Sequence, residues 1–139
     1  MTPLPFTLDA RLAADTSPII DLPLSAVRLM RDARYPWIIL VPCGTGLSEL
    51  TDLPRADRIQ LMDEIASVSE ALVAETNCLK LNVAAIGNIV RQLHIHIVAR
   101  FEGDAAWPGP VWGAHPPIAY DTQNEADLVK RLASRLGRC

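Results

Sequence analysis

Two of the chain's three histidines, His94 and His96, stand one residue apart, and the amide of Gln92 stands two residues ahead of them. Polar and apolar residues alternate through Gln92-Leu93-His94-Ile95-His96-Ile97. In extended backbone, residues two apart share a face. Gln92, His94, His96 and Val98 therefore fall on one side, and Leu93, Ile95 and Ile97 on the other. The apolar side is expected to pack under helices, leaving the imidazoles on a polar platform that opens to a groove or solvent. Imidazole titrates near neutrality, so such a row can act as nucleophile, acid, metal ligand or phosphate donor. Two adjacent rings resist carrying charge together, which keeps one neutral with a free lone pair. A carbonyl that accepts its other N–H would set the tautomer.

The same spacing is open to blander readings. A His-x-His pair on a half-exposed strand is often without function. It also begins some metal sites, which need a further ligand. His115, Cys43 or an acidic loop residue would have to supply it, and nothing in the spacing demands that. Just upstream, Gly87 permits a turn that aims backbone N–H groups at a ligand. The Asn88 amide can donate to a phosphate oxygen.

The elements that must carry these residues follow from periodicity. Residues 8–15 suggest a short helix, and residues 19–22 an edge strand between prolines. Residues 24–32 alternate as a strand, with Ala26, Arg28 and Met30 on one side and Val27, Leu29 and Arg31 on the other. Ala33–Pro36 reads as a turn. "WIILVP", residues 37–42, is a continuous apolar run that implies burial on both faces. After Thr51 or Asp52 as cap and Pro54 in the first turn, a helix runs to about Glu75. Its stripe comprises Ile59, Leu61, Met62, Ile65, Val68, Leu72 and Val73, and Asn77 ends it. Residues 78–87 and 91–100 read as strands. Residues 101–120 hold three Gly and four Pro and are expected to be irregular. Residues 124–136 have helical spacing with Gly137 as a stop. Short strand connections argue for an antiparallel sheet with helices on one face, an α+β domain. One domain over residues 1–139 is expected, with residues 1–23 as an N-terminal arm.

The net charge of −3 argues against a duplex nucleic acid groove, which relies on clustered Lys and Arg. Three cysteines, Cys43, Cys78 and Cys139, an odd count with no Cys-x-x-Cys spacing, argue against a disulfide framework or zinc knuckle and fit reduced thiols in a cytoplasm. No signal peptide and no apolar run long enough to span a bilayer is visible, so no membrane partner is expected.

Residues 87–98, with Gly87-Asn88 ahead of Gln92-Leu93-His94-Ile95-His96-Ile97-Val98, resemble the signature of the histidine-triad superfamily. That signature is His-φ-His-φ-His-φ-φ, with φ apolar, preceded by Gly and a polar residue. The length and element order are also similar. The resemblance implies an antiparallel sheet of about five strands, a long helix and a C-terminal helix. It implies a nucleotide hydrolase or transferase in which the middle histidine, here His94, attacks the α-phosphate of a small-molecule nucleotide. A nucleotidyl-histidine intermediate would form and be released by water, on nucleoside phosphoramidates or dinucleoside polyphosphates. His96 would bond phosphate oxygens, and Gly87 and Asn88 would support the phosphate. Asp32 would meet the ribose, unless it only initiates a turn; Asn82 is a weaker candidate. The resemblance implies no cofactor, no metal ligands from the protein, and a homodimer. Two positions depart from the pattern: Gln92 replaces the first histidine, and Trp37 stands where many members carry another. An amide can donate to phosphate but cannot shuttle a proton. A nucleotide-binding protein with little turnover is therefore a competing expectation. Trp107 and Trp112 are expected to cover the sheet more than to stack on a base, and His115 to lie on the surface.

Overall fold

The computed structural model describes residues 6–137. Pro3 and Pro5 of the expected arm, and Cys139, lie outside the described residues. The chain is α+β: a five-stranded antiparallel sheet in the order β1-β2-β3-β5-β4 with three α-helices. The strands are β1 (Thr16–Asp21), β2 (Ser25–Met30), β3 (Trp37–Pro42), β4 (Lys80–Ala84) and β5 (Ile95–Arg100). The helices are α1 (Ala10–Asp15), α2 (Arg55–Thr76) and α3 (Thr122–Leu136).

The two expected strands pair as a hairpin about the expected turn, with Val27 opposite Leu40 and Leu29 opposite Ile38. The edge strand β1 starts three residues before its expected position. A bulge between Pro18 and Ile20 accommodates the proline, and Arg28 donates to Thr16 Oγ1 at 2.6 Å and to its carbonyl at 3.1 Å. The cap expected for α2 is also displaced. Asp52 accepts from the backbone of Ser48 and Glu49 at 3.0 and 2.9 Å, which commits it to the turn ahead of the helix, and Pro54 is the N-cap. Asn77 ends α2 in the left-handed conformation at φ 52°, with its N–H on the Val73 carbonyl. Asp121 caps α3 by accepting from Gln123 and Asn124.

Helices α2 and α3 cover one face of the sheet. Val27, Leu29, Ile38, Leu40, Ile95 and Ile97 meet Leu61, Val68, Leu72 and Leu132 there. Each such burial contributes roughly 1.5–3 kcal/mol. The stripe on α2 is narrower than the periodicity suggested: Ile59, Met62 and Val73 are exposed, whereas Glu64 is buried. Glu64 Oε2 accepts from Leu24 N and from Gln60, both at 2.8 Å, so the carboxylate holds the start of β2 rather than breaking the core.

The opposite face departs from the expected open platform. Tyr35, Trp37, Ile39, Val41 and Val98 form a second apolar cluster there, covered by Leu12 of α1 and Val111 of the irregular loop. This is why every residue of β3 is buried. It also places the two histidines under cover, with His94 6% and His96 5% exposed.

Candidate active site

The alternating stretch enters the sheet later than its pattern implied. β5 begins at Ile95; Gln92 lies before the strand, and Leu93 pairs through its N–H with the Leu47 carbonyl at 2.9 Å. Gln92 turns toward the arm, where its Oε1 accepts from Asp9 N at 2.8 Å and its Nε2 donates to the Thr7 carbonyl at 2.9 Å. His94 and His96 do share a face, with ring centroids 4.8 Å apart in an edge-to-face arrangement.

Hydrogen bonds define both tautomers. His94 Nδ1 lies 2.7 Å from the Gln92 carbonyl oxygen. A carbonyl only accepts, so Nδ1 carries the proton and Nε2 keeps its lone pair. Trp37 Nε1–H donates to His96 Nδ1 at 3.0 Å. An indole N–H only donates, so the His96 proton sits on Nε2. Burial, and then the neighbouring His94 ring, pushes the His96 pKa from 6.5 down to about 3. His96 is thus a neutral donor at physiological pH. Trp112 closes over it edge-on at 5.4 Å and stands 6.0 Å from Trp37.

Two cavities meet at His94. One, of about 540 Å³, is mainly apolar and is lined by Leu12, Met30, Trp37, His96, Val111 and Trp112 among others. The other, of about 650 Å³, is bounded by Ser48, Glu49, Thr51, Arg91 and Gln92. Ile86, Gly87, Asn88 and His94 line both. Gly87 adopts φ +66°, a conformation costly for any other residue except Asn or Asp. The indole N–H of Trp112 is buried and has no hydrogen-bond partner among the described residues.

The remaining sequence candidates divide. Asp32 lines the apolar cavity but is 3% exposed, and its oxygens are engaged. Oδ1 accepts from Arg34 N at 3.2 Å, Arg34 Nε at 3.0 Å and Ile118 N at 3.4 Å, and Oδ2 accepts from Arg34 Nη2 at 2.7 Å. Burial raises its pKa, but the Arg34 and backbone bonds outweigh that and hold it below the usual carboxylate range. The bond to Arg34 N makes Asp32 a turn initiator. Asn82 lies outside both cavity walls and accepts from Arg100 Nη1 at 2.8 Å. His115 is exposed, with its carbonyl bound to Arg34, and lies on the rim of the apolar cavity. Cys43 and Cys78 are free thiols. Among the described residues no three His, Cys, Asp or Glu side chains cluster as a metal site would require.

Sequence reasoning missed the Arg100–Asp104 pair. Arg100, 1% exposed, donates from Nε and Nη2 to the two Asp104 oxygens at 2.8 and 2.9 Å, between the rings of Tyr35 and Trp107. Asp104 also accepts from Phe101 N and Trp107 N. An Arg closing a strand with an Asp four residues on, across a glycine turn, was the available signal. The pair anchors the loop that carries Trp112. Trp107 lies against the Arg100 guanidinium of β5 at 5.5 Å, whereas Trp112 packs on the second apolar cluster and lines the cavity.

A HIT domain model matches residues 11–103. The chain belongs to the histidine-triad family. Among solved HIT structures, a histidine triad protein from Bradyrhizobium japonicum is 47% identical, covering 96% of this chain and 99% of that one at a TM-score of 0.94. One from Marinobacter aquaeolei is 42% identical over 96% of this chain and 98% of that one, at a TM-score of 0.93. A third, from Sinorhizobium meliloti, is 42% identical over 96% of each chain, at a TM-score of 0.89. No curated protein matches the chain. Among the described residues, no helix of this HIT protein is long and apolar enough to cross a membrane.

Proposed function

We propose that this HIT protein is a nucleotide hydrolase or transferase that acts at the α-phosphate through a nucleotidyl-histidine on His94. The observation that carries this reading is the bond from His94 Nδ1 to the Gln92 carbonyl, which leaves Nε2 as a free lone pair where two cavities meet. Nucleophilic catalysis splits one difficult displacement into two. The base enters the apolar cavity against Met30 and Trp112. The α-phosphate rests over the Gly87-Asn88 turn, where backbone and Asn88 N–H groups supply donors. His96 donates from Nε2 to a phosphate oxygen. Gln92 contributes its carbonyl to His94 and its side chain to the arm that walls the cavity. Asp32 holds the segment around Ile118 beside the ribose position.

Strand β4 leaves one edge of the sheet free, flanked by exposed Leu79 and Val83, and a free edge favours pairing with a second copy. A homodimer joined there is part of the proposal, as is a reducing, cytoplasmic setting that suits the free thiols. A second reading, a nucleotide-binding protein with little turnover, draws on the neutral His96 and the engaged Gln92 side chain.

The test is nucleoside monophosphate release from phosphoramidates and dinucleoside polyphosphates of adenosine and guanosine, for wild type and His94→Ala. Release abolished by the substitution supports the nucleophile. Monophosphate binding without any release selects the second reading.

A further inference from the structure

Helix α1 is six residues long, and a helix that short does not persist in water without tertiary support. It is held at both ends. At its far end Arg31 donates its backbone N–H to the Asp15 carbonyl at 3.0 Å and Nη1 to the Ala14 carbonyl at 3.3 Å. At its start Asp9 caps it, accepting from Arg11 N at 2.8 Å. The Asp9 N–H is in turn tied to Gln92 Oε1 at 2.8 Å, and Gln92 Nε2 donates to the Thr7 carbonyl at 2.9 Å. One side-chain amide thus closes the N-terminal tie with both its oxygen and its nitrogen. Between the two ties Leu12 enters the second apolar cluster, where Phe6 and Leu8 also pack. Arg11, Leu12 and Asp15 line the apolar cavity beside His94 and His96. The backbone of Gln92 serves a different partner. Its carbonyl lies 2.7 Å from His94 Nδ1, and the Leu93 N–H on the Leu47 carbonyl fixes the chain there.

Resting on the reading of the apolar cavity as a nucleotide site, we infer that Gln92 is a positioning residue that couples docking of residues 6–15 to occupancy of that cavity. A ligand in the cavity touches the wall that α1 provides, so it binds more tightly when the arm is docked. Linkage requires the reverse: the ligand holds the arm down by the same factor. The Gln92 side chain sets how firmly the arm docks. Its carbonyl orients His94 separately, so a loosened arm leaves the His94 bond in place.

The test is amide hydrogen exchange of the full chain, read by NMR at Asp9, Leu12 and Ala13, whose N–H groups bond within the tied segment. Adenosine and guanosine 5′-monophosphate are the probes, and calorimetry gives their affinities. In the wild type a saturating monophosphate should slow exchange of the arm about tenfold or more. Gln123 and Asn124 at the start of α3, which line neither cavity, should keep their rates. Without ligand, Gln92→Ala should speed exchange of the arm about 5- to 30-fold, the loss of two hydrogen bonds. Leu8→Ala loosens the arm from its packed side, and Leu8 lines neither cavity. In both variants the ligand should slow the arm by the wild-type factor, because docking has changed and the ligand's preference for the docked arm has not. A wild-type arm whose exchange ignores a bound monophosphate overturns the inference, as does an arm no faster in Gln92→Ala. A slowing factor that collapses in Gln92→Ala alone also overturns it, by putting the amide directly on the ligand. Binding of neither monophosphate overturns the nucleotide reading, and this inference with it.

Discussion

Replacing Asp104 by Ala removes the partner of a guanidinium that is 1% exposed. Breaking a buried pair from one side costs about 3–5 kcal/mol, because the surviving charge is left uncompensated. The Asn82 oxygen still accepts from Arg100 Nη1, which keeps the loss toward the lower end. Against a total stability of about 5–15 kcal/mol, that shift is readily measured as a lower urea midpoint at pH 7. The acid limb gives an independent check. The Arg100 side chain, together with backbone N–H donors that outweigh the effect of burial, depresses the Asp104 pKa from 3.8 to about 2. A depressed carboxylate stabilises fully above its unfolded pKa and loses that contribution as pH falls through the folded value. The loss is worth about 2 kcal/mol at 1.36 kcal/mol per pK unit. Between about pH 5 and pH 2 the wild type should therefore lose about 2 kcal/mol more than Asp104→Ala. Acid effects elsewhere in the chain cancel in the difference.

The pair also ties stability to the site. Asp104 holds the turn from Phe101 to Trp107, and the same loop carries Trp112 over His96. Asp104→Ala at a temperature where it remains folded should raise the KM for nucleotide more than it lowers kcat. Parallel acid curves for the two proteins, or a cost under about 1 kcal/mol at pH 7 as for a surface ion pair, would refute the reasoning.

Three further outcomes are expected. Gln92→Ala removes the bonds to Asp9 and Thr7, costs about 1–2 kcal/mol and exposes the arm before α1 to proteolysis, which limited digestion monitors. Gly87→Ala places a Cβ on a backbone at φ +66° and costs about 1–2 kcal/mol; weakened monophosphate binding in calorimetry checks the turn's role. Trp112→Ala removes an aromatic wall of the apolar cavity and should weaken nucleoside monophosphate binding by about 1–3 kcal/mol, read by the same titration.

Where the sequence was legible, a short-range rule acted alone. Alternation placed Val27 and Leu29 on the core side of β2, and Asn77 ended α2 in the left-handed conformation that the residue tolerates. Where it failed, a side-chain partner outside the periodic pattern decided. Asp52 could not be known to spend its carboxylate on Ser48 and Glu49, nor Glu64 to be buried against Leu24. Ile59 and Met62 fit the helical period yet face outward, because period alone does not fix the width of the covered face. The imidazoles do line a groove, but how deeply it is covered was hidden for a similar reason. Periodicity reads one strand, but the cover over His94 and His96 comes from α1 ahead of the sheet and from the irregular loop after β5.

The two departures from the triad pattern illustrate the point most sharply. Read along the chain, Gln92 and Trp37 are losses of titratable groups. In three dimensions each makes a hydrogen bond that a titrating ring would make only in one of its states. Gln92 holds the arm with an acceptor and a donor at once, as a neutral imidazole also could, but without the charge that would remove the acceptor as pH falls. Trp37 donates to His96 Nδ1 wherever His96 is neutral, which its pKa of about 3 extends across the physiological range, so one tautomer is held there. Both exchanges swap proton transfer for fixed orientation. In a site so altered the orientation of His94 is kept, because its Nδ1 bond goes to the backbone carbonyl of residue 92, which any side chain there would leave in place.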